Sequence, residues 1–388
     1  MDALIKKLLK IRDVKKRRAI LDKKGLDDEE IEQILEQVHL QIKGKLKFPR
    51  ANLMKFSRDG LAQASSKYLA EYRTWKMKSR LNEINNSLDI CCGLGGDTIA
   101  MALRWKVFAV DKNENVIQIA KHNLKAYNLE NNVDFIQGDI VKLVHDVNFI
   151  KKVKDVDCIF FDPGRRSKEK RTVKIEEYQP PLSFVDQLQK ISPNLCVKIS
   201  PGADLNRIKY DCDMEVVSYK GEVKEVMLWF GDFKIDSNKN QILATKLPEK
   251  ITLIKEEQKL DVKLSNPKKY LYEPDPAFIK AHLIKDLANK FGLSLINDKI
   301  AYLTGDESID IPILNKYLIK RVLNIEYKEI NYSLSKLNIG KVDFKSRGVN
   351  IDLRTIHKRI RGKGRDKGIV VFTKVDGKKQ AIICAYHR

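Results

Sequence analysis

The chain has 388 residues, 43% of them hydrophobic and 32% charged, which is enough for two or three separate cores and excludes both a disordered tail and a small disulfide-stapled scaffold. Its net charge of +22 is concentrated at the ends: 14 basic against 9 acidic residues in 1–50, and 19 against 6 in 316–388. A nearly balanced body between basic ends suits a polyanionic partner such as nucleic acid. There is no run of about 18 uncharged apolar residues, which argues against a membrane span, and the charged start MDALIKKLLKIRD argues against a secretory signal. The six cysteines form no CxxC pair and the six histidines are scattered. Both facts point to a reduced, cytoplasmic setting without a structural metal.

In chain order, residues 3–42 read as helical. Leu4, Ile5, Leu8, Leu9 and Ile11 recur at helix spacing, Gly25 breaks the pattern, and Asp27 with Glu30 forms a capping box ahead of Ile31–Ile42. Lys15–Arg18 is read as a solvated helix face. Lys43–Arg50 is a connector, and Asp59–Lys76 reads as one further helix. From Leu88 onward, LDICC, KVFAVD, VDFIQGD, VDCIFFD and LCVKIS alternate with helical stretches at Ile99–Leu103 and Asn115–Tyr127. That alternation predicts a parallel sheet covered by helices, the doubly wound α/β class. Val216–Ser218 and Val226–Phe230, across Lys220-Gly221, add an antiparallel edge; residues 232–250 read as a polar linker. Beyond it come a helix over Pro276–Phe291, a short strand at Ala301–Thr304 and a hairpin turning at Asp376-Gly377. Three units follow: a helical start, an α/β middle and an α+β basic tail.

The most specific stretch is Asp89-Ile90-Cys91-Cys92-Gly93-Leu94-Gly95-Gly96-Asp97, between a strand and a helix. Glycines there let the backbone turn tightly and approach a ligand. Asp111 ends the next strand, 22 residues after Asp89, where an acid can bind the two hydroxyls of a ribose. A nicotinamide dinucleotide site would use the same two elements. The third element separates the readings: Gly138-Asp139 follows the third strand, where an acid can accept from an adenine amino group, and no third glycine stands where a pyrophosphate site wants one.

The order DxCxGxGGD, VFAVD, QGD and FFDPGRR resembles the class I methyltransferases that use S-adenosylmethionine. The resemblance implies a Rossmann-like sheet, S-adenosyl-L-methionine as cofactor and no metal. It puts Gly93, Gly95 and Gly96 along the methionine part, Asp89 at its amino group directly or through water, Asp111 at the ribose and Asp139 at the adenine, with Cys91, Lys112 and Ile140 also among the cofactor-binding residues. Asp162-Pro163-Gly164-Arg165-Arg166 stands where amino-group methyltransferases carry DPPY or NPPF. An exocyclic amine is a poor nucleophile because its lone pair is delocalised into the ring. A carboxylate and a backbone carbonyl that accept its two N–H groups can pull it toward tetrahedral geometry, and proline stiffens the loop that supplies them. Asp162 and the Pro163 carbonyl are therefore the catalytic candidates. Gly164, Arg165 and Arg166 are substrate-side candidates, with Lys168, Lys170 and Arg171 as a cationic rim. A carbon-5 uridine enzyme would need a cysteine after a later strand, but that place reads Ser200-Pro201-Gly202, and Cys196 lies inside the strand.

The chain from about residue 45 onward also resembles a methyltransferase family with a THUMP-like C-terminal region, carried by FSRDGLAQASSKYLAEYR, DPGRR, KISPGADL, SYKGEVKEVMLWFG, YLYEPDPAFIKAHLIKDLA and KSRGVNID. Its cofactor block is similar to that of the trimethylguanosine synthases, which methylate guanosine N2 in RNA. The implied domains are 1–50 helical, 51–235 methyltransferase and 236–388 THUMP-like. RNA, either tRNA or rRNA, is the implied partner, with no membrane and no obligate protein partner. Lys345, Arg347, Arg354, Lys358, Arg359, Arg361, Lys363 and Arg365 are read as a phosphate track. Lys198 touches substrate or pairs with Glu222, Trp229 and Tyr219 are core or base-stacking residues, and Phe56, Ser57 and Gln63 can close over the cofactor. Two rivals are an RNA-binding protein without turnover and a nucleotide-dependent oxidoreductase. A methyltransferase acting on protein or a small molecule also stays open.

Overall fold

The computed structural model describes residues 2–164, 166–167, 170–258 and 260–386, apart from the side chains of Asp2, Arg166, Ser167, Lys170 and Arg171. It divides into two compact units, residues 1–214 with 226–240, and residues 215–225 with 241–388.

The first unit opens with α1 (Asp2–Leu8), α2 (Val14–Asp22) and α3 (Asp28–Gly44). Their apolar faces share a small core of Ile5, Leu8, Leu21, Ile31, Ile34 and Val38. The capping box of Asp27 and Glu30 forms as expected. The helical start has a second break, at residues 9–13, that the periodicity did not reveal. Asp13 caps α2, and Arg17 of α2 donates to the carbonyls of Leu8 (3.2 Å) and Ile11 (2.8 Å). Arg17 is thus buried, a correction to the solvated face expected for Lys15–Arg18.

The helix expected over Asp59–Lys76 is two: α4 (Arg58–Gln63) and α5 (Lys67–Arg80). Lys47 Nζ draws the carbonyls of Leu61 and Ala64 toward itself, each at 2.7 Å, and takes the place of helix continuation. Then follow β1 (Asn86–Ile90), α6 (Gly96–Ala102), β2 (Lys106–Asp111), α7 (Glu114–Lys125), β3 (Val133–Gln137), α8 (Ile140–Leu143), α9 (Val147–Val153) and β4 (Cys158–Phe161). After β4 lie the two-residue strands β5 (Arg166–Ser167) and β6 (Lys170–Arg171), then α10 (Val185–Leu188), β7 (Leu195–Ile199), β8 (Asp213–Tyr219) and β9 (Glu222–Trp229).

Within the first unit the sheet order is β9-β7-β4-β1-β2-β3. Neighbours from β7 to β3 are parallel, and β9 runs antiparallel to β7. Leu88, Ile90, Ile159, Phe161, Leu195 and Val197 are all fully or almost fully buried, as expected of strands covered on both faces. The chain winds outward in opposite directions from β1 and β4, and such a reversal opens a crevice at the carboxyl ends of the strands. This is the Rossmann-like class I arrangement.

In the second unit the expected linker contains β10 (Ile242–Leu247), paired antiparallel with β11 (Ile251–Ile254). The strand forms because Leu243, Ala244 and Leu247 are buried and Thr245 finds a buried partner in Glu215. There follow β12 (Tyr270–Pro274), α11 (Pro276–Lys280), α12 (Ile284–Phe291), β13 (Ser294–Leu295), β14 (Leu303–Gly305), β15 (Leu314–Asn324), α13 (Tyr327–Lys336), β16 (Ile339–Ser346), α14 (Leu353–Arg359), β17 (Asp366–Val375) and β18 (Lys378–Tyr386). The single helix expected over Pro276–Phe291 is thus broken at Ala281–Leu283, where His282 takes φ +58°.

A seven-stranded sheet runs β13-β14-β12-β15-β18-β17-β16. Successive residues of β17 feed opposite cores, Ile369 and Val371 into one and Val370 and Phe372 into the other, the latter closed by Ile330 and Leu334 of α13 and Ile356 of α14. The hairpin turns at Asp376 (φ +46°) and Gly377 (φ +74°), the primed geometry that matches strand twist.

Candidate active site

The glycine loop leaves β1 through three left-handed residues, Cys91 (φ +62°), Gly93 (φ +56°) and Gly95 (φ +80°). At Gly93 an added Cβ would meet nothing nearer than the Cys91 carbonyl at 3.9 Å, so the backbone there faces open space. Gly96 opens α6 and would carry its Cβ 3.4 Å from the Phe48 ring and the Ser65 carbonyl. Asp111 ties this loop to the next strand. Gly93 N donates to its Oδ2 at 3.1 Å and Asn113 N to its Oδ1 at 3.0 Å. Asp139 caps α8 through Oδ1, accepting from Val141 N at 3.0 Å, and stays exposed; Ile140 beside it is buried.

Asp89 is fully buried. Thr98 Oγ1 donates to its Oδ2 at 2.5 Å, while Oδ1 has no hydrogen-bond partner. Burial, then the charge of Asp97, and further the charges of Asp162 and Asp111 push its carboxyl up to about 8, against the opposing bond from Thr98. A buried carboxylate oxygen left unpaired is costly unless a ligand completes it, and an ammonium group is the natural complement. Asp97, at the start of α6, is pushed up by burial, but the Arg73 guanidinium, Lys198 and hydrogen bonds from Arg73 and Ser65 outweigh this and hold it below the usual carboxylate range.

Asp162 follows β4, its amide donating to Ile90 O at 3.3 Å. Lys198, projecting from β7, forms an ion pair with Asp162 Oδ2 and contacts Ser65 Oγ at 3.2 Å. The suggested pairing of Lys198 with Glu222 is therefore corrected: Glu222 pairs with Lys224. Pro163 is buried. Gly164 is exposed, and its backbone exchanges two 2.9 Å hydrogen bonds with Gln179, which anchors the acceptor loop. Arg165 and Lys168 lie outside the described residues. The backbone of Arg166 pairs with Arg171, while the side chains of Arg166, Lys170 and Arg171 lie outside the description.

These elements bound one cleft of about 1350 Å³. Asp89, Cys91, Gly93, Gly96, Asp111, Lys112, Asp139, Ile140, Asp162, Pro163 and Gly164 line it; Gly95 shapes the turn from behind, packed toward Leu124. The opposite wall was only partly foreseen. Phe56, Ser57 and Gln63 line the cleft, and so do Glu36, Gln37 and Leu40 of α3. Gln37 exchanges hydrogen bonds with the Phe56 backbone at 2.6 and 3.2 Å. Asn123 clamps Lys55 (2.8 and 3.1 Å) to the carbonyl of Leu94 (3.0 Å) in the glycine loop.

Nothing local in the sequence marks Gln37, Ser65 or Arg73, because each finds its partner 19 or more residues away. The thiols of Cys91 and Cys92, which line the cleft, are pushed well up by burial, so neither is a ready nucleophile. Cys196 is buried inside β7, and Trp229 is a core residue packed edge-on to Phe233.

In the second unit, Lys345 and Arg347 are not free cations. Both pair with Glu273, a carboxylate that Tyr317 also bonds at 3.1 Å. Arg359 and Arg361 are exposed, the former 5.3 Å from the ring centre of Tyr327.

Two family models match the chain. Residues 84–233 match the RNA cap guanine-N2 methyltransferase family, and residues 314–386 match the THUMP-like domain. An uncharacterized S-adenosylmethionine-dependent methyltransferase of Mycobacterium tuberculosis is 26% identical over 336 residues, 85% of this chain and 87% of that one. The chain is a class I S-adenosylmethionine-dependent methyltransferase. The trimethylguanosine synthase of Schizosaccharomyces pombe is 28% identical to this methyltransferase over 127 residues, 31% of this chain and 52% of that protein. A crystal structure from Porphyromonas gingivalis W83, assigned as a methyltransferase, shares the fold with a TM-score of 0.76 at 21% identity, over 94% of this chain and 92% of that one. The cofactor of this methyltransferase is S-adenosylmethionine. The residues present fit it: the unpartnered Asp89 Oδ1 suits its ammonium group, and the open face at Gly93 leaves room for it. No helix among the described residues is long and apolar enough to cross a membrane.

Proposed function

We propose that this methyltransferase acts on an exocyclic amine of a base in RNA, with guanosine N2 the first candidate. The observation that carries the reading is that the Asp162–Gly164 loop and the glycine loop open into one cleft. Pockets for one drug-sized ligand span about 300–1000 Å³, so about 1350 Å³ leaves space for an acceptor beside the cofactor. The matched guanine-N2 methyltransferase model and the likeness to a trimethylguanosine synthase support the same substrate class.

Bound S-adenosylmethionine supplies an electrophilic methyl group. On this reading, Asp89 takes the cofactor's ammonium group, Gly93, Gly96 and Cys91 line its methionine part, Asp111 and Lys112 meet the ribose, and Asp139 and Ile140 meet the adenine. The acceptor amine donates one N–H to Asp162 and the other to the Pro163 carbonyl, which aims its lone pair and gives the departing proton an acceptor. With Lys198 on Oδ2, Oδ1 is the oxygen left for the amine. Catalysis is then orientation and exclusion of water, consistent with the unreactive thiols of the cleft. The THUMP-like region, basic toward its end, would hold the RNA, with Arg359 and Arg361 on phosphates.

The test is transfer of labelled methyl from S-adenosylmethionine into RNA, protein and small-molecule pools of cells lacking this gene, followed by digestion of labelled RNA to nucleosides. Label in one modified guanosine is expected, with Asp162→Ala losing at least about 100-fold in rate while binding cofactor normally. Label only in protein or a metabolite would remove RNA from the reading. Full turnover in the Asp162→Ala variant would remove Asp162 from the chemistry.

A further inference from the structure

Behind the acceptor loop, two carboxylates are held by two buried cations. Arg73, its side chain 2% exposed, holds Asp97 and stands 5.3 Å from the centre of the Phe160 ring. Lys198, its side chain 7% exposed, holds Asp162 and meets Ser65. Ser65 in turn bonds Asp97. A continuous polar chain therefore runs Arg73–Asp97–Ser65–Lys198–Asp162, from the residue that follows the glycine loop to the acceptor loop. Asp89 stands beside this chain, and the charges of both Asp97 and Asp162 act on it. Asp111 acts on Asp89 as well, and Cys91 feels Asp111, Asp162, Asp89 and Lys112.

We propose that Lys198 is a positioning residue for methyl transfer and not a contact to substrate. Its ammonium group is spent on Asp162 and Ser65. That arrangement presents Oδ1 to the acceptor amine and fastens the acceptor loop to the Ser65 turn that walls the cofactor cleft. Without Lys198, Asp162 Oδ2 loses its ion pair, and the carboxylate is free to turn away from the acceptor amine. The proposal deepens the assignment of Asp162 above and rests on it for the chemistry, but the coupling of Lys198 to Asp162 stands apart from any substrate.

The experiment compares full-length Lys198→Met and Lys198→Arg, with Lys198→Gln as the polar substitute should the methionine variant not fold. The aspartate carboxyl carbons, labelled with ¹³C, are titrated by NMR without cofactor or RNA, and Asp162→Asn identifies the Asp162 signal. Removing the cation is expected to move the Asp162 midpoint up by at least about one pH unit, whereas arginine restores it. In the turnover assay, the methionine variant is expected to lose about 100-fold in kcat, and the arginine variant to recover at least about tenfold of that loss. Its Kd for S-adenosylhomocysteine should stay within about threefold of the parent value. An unmoved Asp162 signal overturns the proposal, as does a loss of turnover that arginine does not recover. A shifted signal in a chain that methylates no RNA would uphold the coupling and fault the substrate reading instead.

Discussion

The amide of Gly93 donates to Asp111 Oδ2 at 3.1 Å, so the glycine loop after β1 and the acid that ends β2 form a single rigid cradle. Asp111 shapes the loop as well as meeting the ribose on the function proposed above. Asp111→Ala should therefore weaken S-adenosylmethionine binding by at least about tenfold, or about 1.4 kcal/mol. Asp111→Asn, which keeps one acceptor but loses the charge, should fall between. Titration calorimetry checks both, and unchanged affinity would separate Asp111 from the cofactor.

Asp89 predicts a pH signature. Its carboxyl is raised from 3.8 to about 8 in the folded chain, so between these values the native state holds a proton that the unfolded chain has released. Stability from this group is therefore complete below about pH 4 and declines as pH rises toward 8. Asp89→Asn should flatten that part of a denaturation–pH profile. Placing the cofactor's ammonium group against Oδ1 favours the ionised form, so binding near pH 7 should release most of one proton. The heat of binding should then depend on the ionisation enthalpy of the buffer, and that dependence should vanish in Asp89→Asn.

Arg73→Met leaves Asp97 enclosed without its guanidinium; the two side chains are 2% and 14% exposed. Removing one partner of a buried pair typically costs about 3–5 kcal/mol. Arg73→Lys, which keeps a point charge but not the two-pronged contact on Asp97, should cost less. Denaturant unfolding of the first unit measures both. A loss below about 0.5 kcal/mol, the range of ordinary surface changes, would show that the pair does not hold the α5–α6 contact.

The second unit separates two kinds of basic residue. Arg359 and Arg361 are exposed, and replacing both with Gln should weaken RNA binding and reduce the slope of log K against log salt by about 1.5. Lys345 is tied to Glu273 and Tyr317. Lys345→Gln should instead lower stability by up to about 1 kcal/mol and leave the salt slope alone. Filter binding across salt concentrations, set beside thermal unfolding, distinguishes them. A salt slope that drops for Lys345→Gln would return that residue to the phosphate track.

Legibility from the amino-acid order followed how local each feature is. The Asp27–Glu30 capping box, the Asp376-Gly377 hairpin and the five apolar strand segments from Leu88 to Ser200 depend on partners a few residues away or on a simple apolar run, and each could be read directly. The glycine loop with its acids at Asp111, Asp139 and Asp162 was legible for a related reason: each residue sits at a strand end, and the winding of the sheet brings successive strand ends to one crevice. Where long side chains act across the fold, the order of residues was silent. Arg17 ends one helix by taking its carbonyls, and Lys47 divides another in the same way. A polar stretch becomes a strand because Thr245 meets Glu215. The same held for charge. A lysine count cannot tell Lys198, spent on Asp162, or Lys345, spent on Glu273, from the exposed Arg359 and Arg361, because the free energy of an ion pair depends on separation and burial, and both are set only when distant segments pack.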